Sequence, residues 1–289
     1  MTITLIAGGL VSGCTTIPVN PLSTEKGDKA AMKKIMERKD RIVQVSSQET
    51  DAGKPVLLLL HGATDDPTEM MDIVREWRGK YDVFLYAYNY HDRVQKVASD
   101  FVNEVKRLRA ENCFSGSATV VVYSYAVIVF REAVINADDR TLFSNVSLIQ
   151  LVPTAGGSYL ARGLKNPIMA WVVSMAFKPT QAENPNGRFA EQLWAGEGNR
   201  KFYEVINPER VHTILLEGDP HSLARVADKK VQERYNNGIG PNVVVIPKST
   251  GVTHDYFPTN PVALDYLRKL LELPHDDTDH NKIQTAVRG

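Results

Sequence analysis

Residues 118–136 read ATVVVYSYAVIVFREAVIN, and this stretch decides the predicted fold. Ala118 to Val122 is a mostly apolar run that ends in three valines, which is typical of a strand buried on both faces of a sheet. Tyr123-Ser124-Tyr125-Ala126 ends that run, and Val127 to Asn136 then shows helical spacing. The stretch therefore predicts a buried strand, a tight turn that carries Ser124, and a helix.

The alternation of strands and helices continues on both sides of this stretch. An alternating pattern predicts a strand at Arg41 to Ser47. Apolar runs predict further strands at Val56 to Leu60, Tyr81 to Tyr88, Val146 to Leu151, Thr213 to Leu216 and Val243 to Ile246. Apolar residues at helical spacing predict helices at Thr68 to Arg78, Asp92 to Ala110 and Pro261 to Leu273. Strands that alternate with helices of this length indicate a mostly parallel sheet covered on both faces.

One segment, about 154–210, breaks the alternation because it contains no clear sheet strand. It holds only helical patterns, such as Ile168 to Phe177 and Arg188 to Leu193, so we predict a helical cap inserted over the sheet. The predicted organisation is a leader-like segment at 1–13, a tether at 14–39, one domain at 40–273 that includes the cap, and a polar tail at 274–289.

The composition excludes several classes of protein. The chain has 289 residues, 34 basic and 34 acidic, and 43% of its residues are hydrophobic, so a disordered chain is excluded. The balanced charge argues against nucleic-acid binding, because no excess of cations is present to collect phosphates. No sequence feature indicates an obligate protein partner.

Polar residues follow three of the predicted strands, at the edge where ligands bind in open parallel sheets. These are His61-Gly62-Ala63, Ser124 and His254. Their order and spacing resemble the α/β-hydrolase family, over roughly residues 40 to 273. The resemblance implies an α/β-hydrolase fold, in which the nucleophilic serine lies on a tight strand-to-helix turn usually written Gly-x-Ser-x-Gly.

This turn departs from the family pattern at its first position, because it reads Val122-Tyr123-Ser124-Tyr125-Ala126. Ala126 is small enough to keep the helix close to the strand. Val122 places a β-branched side chain where the family usually has none, and the sequence leaves open whether it impairs activity.

The resemblance assigns a catalytic triad. Ser124 is the nucleophile and His254 the base that activates it, since a serine hydroxyl is a weak nucleophile alone. The acid that orients the imidazole is Asp219, in the loop after the strand at Thr213 to Leu216, with Asp228 as the alternative. The oxyanion donors are the backbone N–H groups of Tyr125 and Ala63, with Thr64 as an alternative to Ala63.

The function implied is hydrolysis of carboxylic esters, with a small-molecule or lipid ester as substrate and an acyl-enzyme as intermediate. Two alternatives stay open: an amidase or peptidase with the same catalytic residues, and an inactive hydrolase fold that binds a ligand. We expect no cofactor and no metal, because the chain has no phosphate loop, no dinucleotide glycine pattern and no zinc-ligand spacing.

Near the N-terminus, a short apolar run ends in Val11-Ser12-Gly13-Cys14. This pattern resembles a bacterial lipoprotein signal. The run is shorter than the roughly 20 residues that cross a bilayer. The resemblance implies lipidation at Cys14 and a membrane-anchored protein of the bacterial cell envelope. The alternative is a buried N-terminal strand in a cytoplasmic protein.

Overall fold

The computed structural model describes residues 41–45, 54–62, 67–90, 92–113, 117–153, 197–219 and 241–272, together with Lys33, Ile35 and Glu37. Its central element is a seven-stranded sheet with the spatial order β1-β3-β2-β4-β5-β6-β7. The strands are β1 (Arg41–Gln44), β2 (Val56–Leu60), β3 (Asp82–Ala87), β4 (Ala118–Tyr123), β5 (Val146–Leu151), β6 (Val211–Leu216) and β7 (Asn242–Ile246).

All neighbouring strands are parallel except β1, which pairs antiparallel with β3. The mostly parallel sheet predicted from the sequence is therefore confirmed. In β4 all six residues are buried, as expected of a central strand covered on both faces. The edge strand β7 is only partly covered, with Val243 and Val245 exposed.

Five α-helices lie among the described residues. They are α1 (Met71–Trp77), α2 (Val94–Ala110), α3 (Ala126–Asn136), α4 (Glu197–Tyr203) and α5 (Pro261–Leu271). Short 3-10 turns occur at Pro67–Met70, Arg140–Leu142, Pro208–Arg210, Lys248–Thr250 and Phe257–Thr259. The predicted helix at Thr68 to Arg78 is thus divided into a 3-10 turn and α1.

The sheet separates two hydrophobic clusters. One cluster joins the sheet to α2 and α3, and the other joins it to α1 and α5. Strand β4 contributes to both, since Val120 and Val122 face the first and Val121 and Tyr123 the second. This alternation follows from the two-residue period of a strand. Each fully buried aliphatic side chain contributes about 1.5–3 kcal/mol to folding.

The strand order changes direction at β2, which pairs with β3 on one side and with β4 on the other. Such a reversal opens a crevice at the carboxyl ends of the strands, where α/β proteins bind ligands. Both His61, after β2, and Ser124, after β4, lie at this edge.

Most of the predicted cap, 154–196, lies outside the described residues, as do the segments 1–13 and 274–289. The described end of the cap region contains α4, which packs on α3. The guanidinium of Arg131, in α3, lies 4.0 Å from the ring centre of Phe202, in α4. Among the described helices none is long and apolar enough to cross a membrane.

Candidate active site

Ser124 lies on a strained turn between β4 and α3. Its φ angle is +53°, a left-handed conformation that costs a non-glycine residue roughly 1–2 kcal/mol. The turn is held because the Ser124 N–H donates to the carbonyl of Leu151, at 2.9 Å. Strain of this kind is often found at functional sites, where the surrounding structure holds it in place.

Val122, at the first position of this turn, packs in the hydrophobic core. It is fully buried, lies opposite Leu60 and Gln150 in the neighbouring strands, and shares a hydrophobic cluster with Ala126. The side chain that replaces the usual glycine therefore belongs to the core. Ala126, at the last position of the turn, is also fully buried.

His254 lies in the loop between the two 3-10 turns that follow β7. Gly251, with φ of +74°, turns the chain at the end of the first of them. The loop brings His254 Nε2 to 2.8 Å from Ser124 Oγ. Two residues 130 positions apart thus meet at the carboxyl edge of the sheet.

Asp219 reaches the other side of the same imidazole ring. Its Oδ2 lies 2.8 Å from His254 Nδ1, and its residue is 5% exposed. Gly218, with φ of +75°, allows the chain to turn directly after β6, and the Asp219 N–H donates to the Leu216 carbonyl at 3.3 Å. This tight turn after β6 brings the Asp219 carboxylate to the imidazole of His254.

Glu217, the neighbouring acid, has a different contact. Its Oε2 accepts a hydrogen bond from the Lys248 N–H at 3.0 Å, which ties the β6 loop to the segment after β7. The alternative acid, Asp228, lies outside the described residues.

The predicted oxyanion donors are described only in part. Tyr125 immediately precedes α3, where N–H groups of the first turn have no acceptor within the helix. Ala63 and Thr64 lie outside the described residues. The residue before them, Gly62, donates its N–H to Glu69 Oε1 at 2.7 Å.

His61 supports the start of this loop. It is fully buried, and its ring stacks on Tyr88 at 4.2 Å between ring centres. Its Nδ1 lies 2.9 Å from the Gly62 carbonyl, and its Nε2 accepts the Tyr88 N–H at 3.4 Å. Because these contacts engage both ring nitrogens, His61 stabilises the loop and does not bind a ligand.

Two residues near the site were not singled out by the sequence. The Tyr123 hydroxyl donates to the backbone carbonyl of His254, and Glu69 holds Gly62 as described. The only sequence feature that could have indicated a role for Tyr123 is its position directly before Ser124. Glu69 carried no signal, because an acidic residue in the first turn of a helix is common.

The arrangement can move a proton from Ser124 to His254 while Asp219 accepts a hydrogen bond from the imidazole. With the imidazole proton on Nδ1, His254 donates to Asp219 and accepts the hydroxyl proton of Ser124 through Nε2. The Asp219 and His254 side chains are 2% and 10% exposed, so little water competes for these bonds. Within the described residues no group of three or more His, Cys, Asp or Glu side chains could hold a metal ion.

Comparisons with known proteins give the fold a name. No protein-family model matches the chain, and no curated protein matches it. The structure is similar to that of Bacillus licheniformis lipase BlEst2 in its mature form, with a TM-score of 0.55, 14% identity, and coverage of 81% of this chain and 99% of that one.

A second similar structure is Aspergillus fumigatus lipase B, with a TM-score of 0.54 and 14% identity over 92% of this chain and 62% of that one. A third is a carboxylesterase structure from Nitrososphaera gargenis, with a TM-score of 0.50 and 13% identity over 80% of this chain and 94% of that one. The chain therefore has the α/β-hydrolase fold, as the sequence predicted.

Proposed function

We propose that this protein is a serine hydrolase that cleaves carboxylic esters through an acyl-enzyme. The observation that carries the proposal is the continuous hydrogen-bonded series from Ser124 Oγ through the His254 imidazole to Asp219 Oδ2, with 2.8 Å at each step. A nucleophile, a base in reach of it and a third group that orients the base are the elements of a catalytic triad.

In the proposed reaction, His254 Nε2 takes the hydroxyl proton while Ser124 Oγ attacks the acyl carbonyl carbon. The C–O bond to the alcohol then breaks, and His254 returns the proton to the departing alkoxide oxygen. Water attacks the acyl-Ser124 ester with the same assistance and releases the acid. Asp219 keeps the imidazole in the productive tautomer and stabilises the imidazolium that forms.

The negative charge on the carbonyl oxygen requires backbone donors. We assign this role to the N–H groups of Tyr125 and Ala63, with Thr64 as the alternative to Ala63. The hydrogen bond from Gly62 to Glu69 supports the assignment, because it anchors the residue before Ala63 and engages the Gly62 N–H elsewhere. Loss of one such donor typically costs about 100- to 1000-fold in rate.

The ester substrate is proposed on chemistry and on analogy with the fold. Two of the similar structures are called lipases and one a carboxylesterase. One fold supports many reactions, and hydrolysis of an amide would use the same catalytic residues. Ester and amide substrates must therefore be compared directly.

The test is labelling of the purified protein with a fluorophosphonate, which forms a bond only with an activated serine. We expect labelling of the wild type and none of Ser124→Ala or His254→Ala. Ser144→Ala is the matched control, because Ser144 is an exposed serine whose one hydrogen bond among the described residues is local, to the Thr141 carbonyl. Folded wild-type protein that stays unlabelled would contradict the proposal and favour the ligand-binding alternative.

If labelling succeeds, paired esters and amides with the same acyl group separate the two kinds of hydrolase. We expect the larger kcat/KM for the ester. A larger value for the amide would replace the esterase proposal with an amidase.

We further propose that the protein works in the bacterial cell envelope. The sequence around Cys14 supports lipidation and membrane anchoring. The chain has two cysteines, Cys14 and Cys113, and Cys14 lies outside the described residues. A disulfide between Cys14 and Cys113 would use the thiol that lipidation needs. Such a disulfide would still indicate a location outside the cytoplasm, because disulfides form mainly there.

The mass of the mature protein from its native host tests this placement. A diacylglycerol-modified Cys14 supports anchoring, and a peptide pair joined through Cys14 and Cys113 supports an unanchored envelope protein. Two free thiols in the native protein would contradict the placement and favour the cytoplasmic alternative.

A further inference from the structure

We propose that Tyr123 is a positioning residue for the catalytic base, because its hydroxyl holds the backbone of His254 in the place where the imidazole reaches Ser124. This inference rests on the proposed serine hydrolase function. Tyr123 itself touches no reacting atom.

The first support is the hydrogen bond itself. The Tyr123 hydroxyl donates to the carbonyl oxygen of His254, although the two residues lie 131 positions apart. The same carbonyl accepts the N–H of Phe257, at 3.3 Å. The backbone of the base is thus fixed from the sheet and from its own loop.

The second support is the rigidity of the tyrosine. Tyr123 is the last residue of β4 and is 3% exposed. Its ring lies beside His254, at 5.8 Å between ring centres, and stacks on Phe257 at 6.4 Å. On another side the ring passes so close to Gly62 that a Cβ there would lie 2.9 Å from two ring carbons. The ring that carries the hydroxyl is therefore packed against His254, Phe257 and Gly62.

The third support is the location of Tyr123 in the chain. Strand β4 ends with Tyr123 and is followed by Ser124, so two consecutive residues hold His254 at two points. Ser124 Oγ contacts the imidazole Nε2, and the Tyr123 hydroxyl contacts the main chain. The distance between nucleophile and base then depends on one rigid strand end rather than on the relative position of two loops.

Deprotonation of the Tyr123 hydroxyl does not interrupt this contact near neutral pH. Burial raises the pKa of the Tyr123 hydroxyl above its usual value of 10, with Glu69, Asp255 and Asp219 adding to the increase. The hydroxyl therefore remains a donor at neutral pH.

The test compares Tyr123→Phe with Tyr81→Phe. Tyr81 is a matched control, because it is buried in the same hydrophobic cluster and donates its hydroxyl to a backbone carbonyl, that of Leu271, at 3.0 Å. Tyr81 precedes β3 and so lies at the amino edge of the sheet, away from the site.

For Tyr123→Phe we expect the maximal rate of fluorophosphonate labelling, and kcat on an activated ester, to fall about 10- to 100-fold, since small misplacement of a catalytic group costs this much. The probe concentration for half-maximal rate and KM should not change, because the acyl site is untouched. For Tyr81→Phe we expect all four values to match the wild type.

Two results would overturn the inference while leaving the hydrolase intact: wild-type rates in Tyr123→Phe, or an equal loss in Tyr81→Phe. A separate readout covers the case in which the wild type itself is not labelled. The imidazole signals of His254, assigned by comparison with His254→Gln, should shift in the NMR spectrum of Tyr123→Phe and not in that of Tyr81→Phe. Unshifted signals would show that the hydroxyl does not position the ring.

Discussion

Gly62 and Tyr123 are in closer contact than any side chain at position 62 would allow. A Cβ built on Gly62 would lie 2.9 Å from Cδ1 and Cε1 of Tyr123 and 3.3 Å from Glu69 Oε1. The absence of a side chain on Gly62, after β2, thus leaves room for the Tyr123 ring at the end of β4. The hydroxyl of that ring in turn bonds to the backbone of His254. The close approach connects the predicted oxyanion loop with His254.

Gly62→Ala should therefore damage the site by displacing the Tyr123 ring. We expect a loss of about 1–3 kcal/mol in the free energy of unfolding, as for other overpacked sites, together with slower fluorophosphonate labelling. Gly79→Ala is the control, because a Cβ there meets nothing within 4 Å. Equal unfolding temperatures and labelling rates for the two variants would contradict the crowding.

Asp219→Asn should keep the fold and lose most of the activity. The amide can occupy the same space but does not hold the imidazole in the productive tautomer, so we expect kcat to fall by about 10³- to 10⁴-fold. Glu217→Gln is the control, since Glu217 bonds to the Lys248 N–H and lies in the same loop. An Asp219→Asn variant with near wild-type kcat would contradict the role of Asp219 and favour Asp228 as the acid.

The strain at Ser124 predicts that glycine at this position gives a more stable protein than alanine, the reverse of the order expected in a regular strand. With φ of +53°, this position favours glycine, so Ser124→Gly should be more stable than Ser124→Ala by about 1 kcal/mol. Ser147, in the regular strand β5, should show the opposite order, because glycine weakens a strand interior. Thermal or urea unfolding of the four variants measures both differences.

Val122→Gly should restore the usual glycine of the turn and yet weaken the protein. Val122 is fully buried, so its removal loses the burial of a valine side chain and loosens the strand, about 2–4 kcal/mol together. We expect no faster labelling per folded molecule. Faster labelling would show that Val122 impairs the site, which the sequence left open.

Glu132 predicts a pH-dependent stability. Burial raises the pKa of this α3 carboxyl above its usual value, so the folded state disfavours the charged form. The stabilisation by the protonated form is complete below the unfolded-state pKa and is lost as pH rises through the folded-state pKa. Glu132→Gln should therefore raise the unfolding temperature at pH 7 and lose that advantage in acid; a gain that is constant with pH would contradict this account.

The sequence was sufficient for most of the fold because strands and helices follow from local periodicity. The runs at Val56–Leu60 and Val146–Leu151 were predicted with their final bounds. The helix expected at Asp92 begins at Val94, and the one expected to reach Leu273 ends at Leu271. Helix ends depend on capping and on neighbours such as Pro274, and periodicity carries little of that information.

What the sequence determined alone was the order of elements and the residue types that follow each strand: Ser124, Asp219 and His254. Each is a local property of a strand and the turn after it. The 2.8 Å contacts among the three side chains, the bond from Tyr123 to the His254 carbonyl and the close approach of Gly62 were decided only by the tertiary structure. The physical reason is that these contacts join residues that are distant in the chain, and their distances depend on strand register and packing, which no local pattern records.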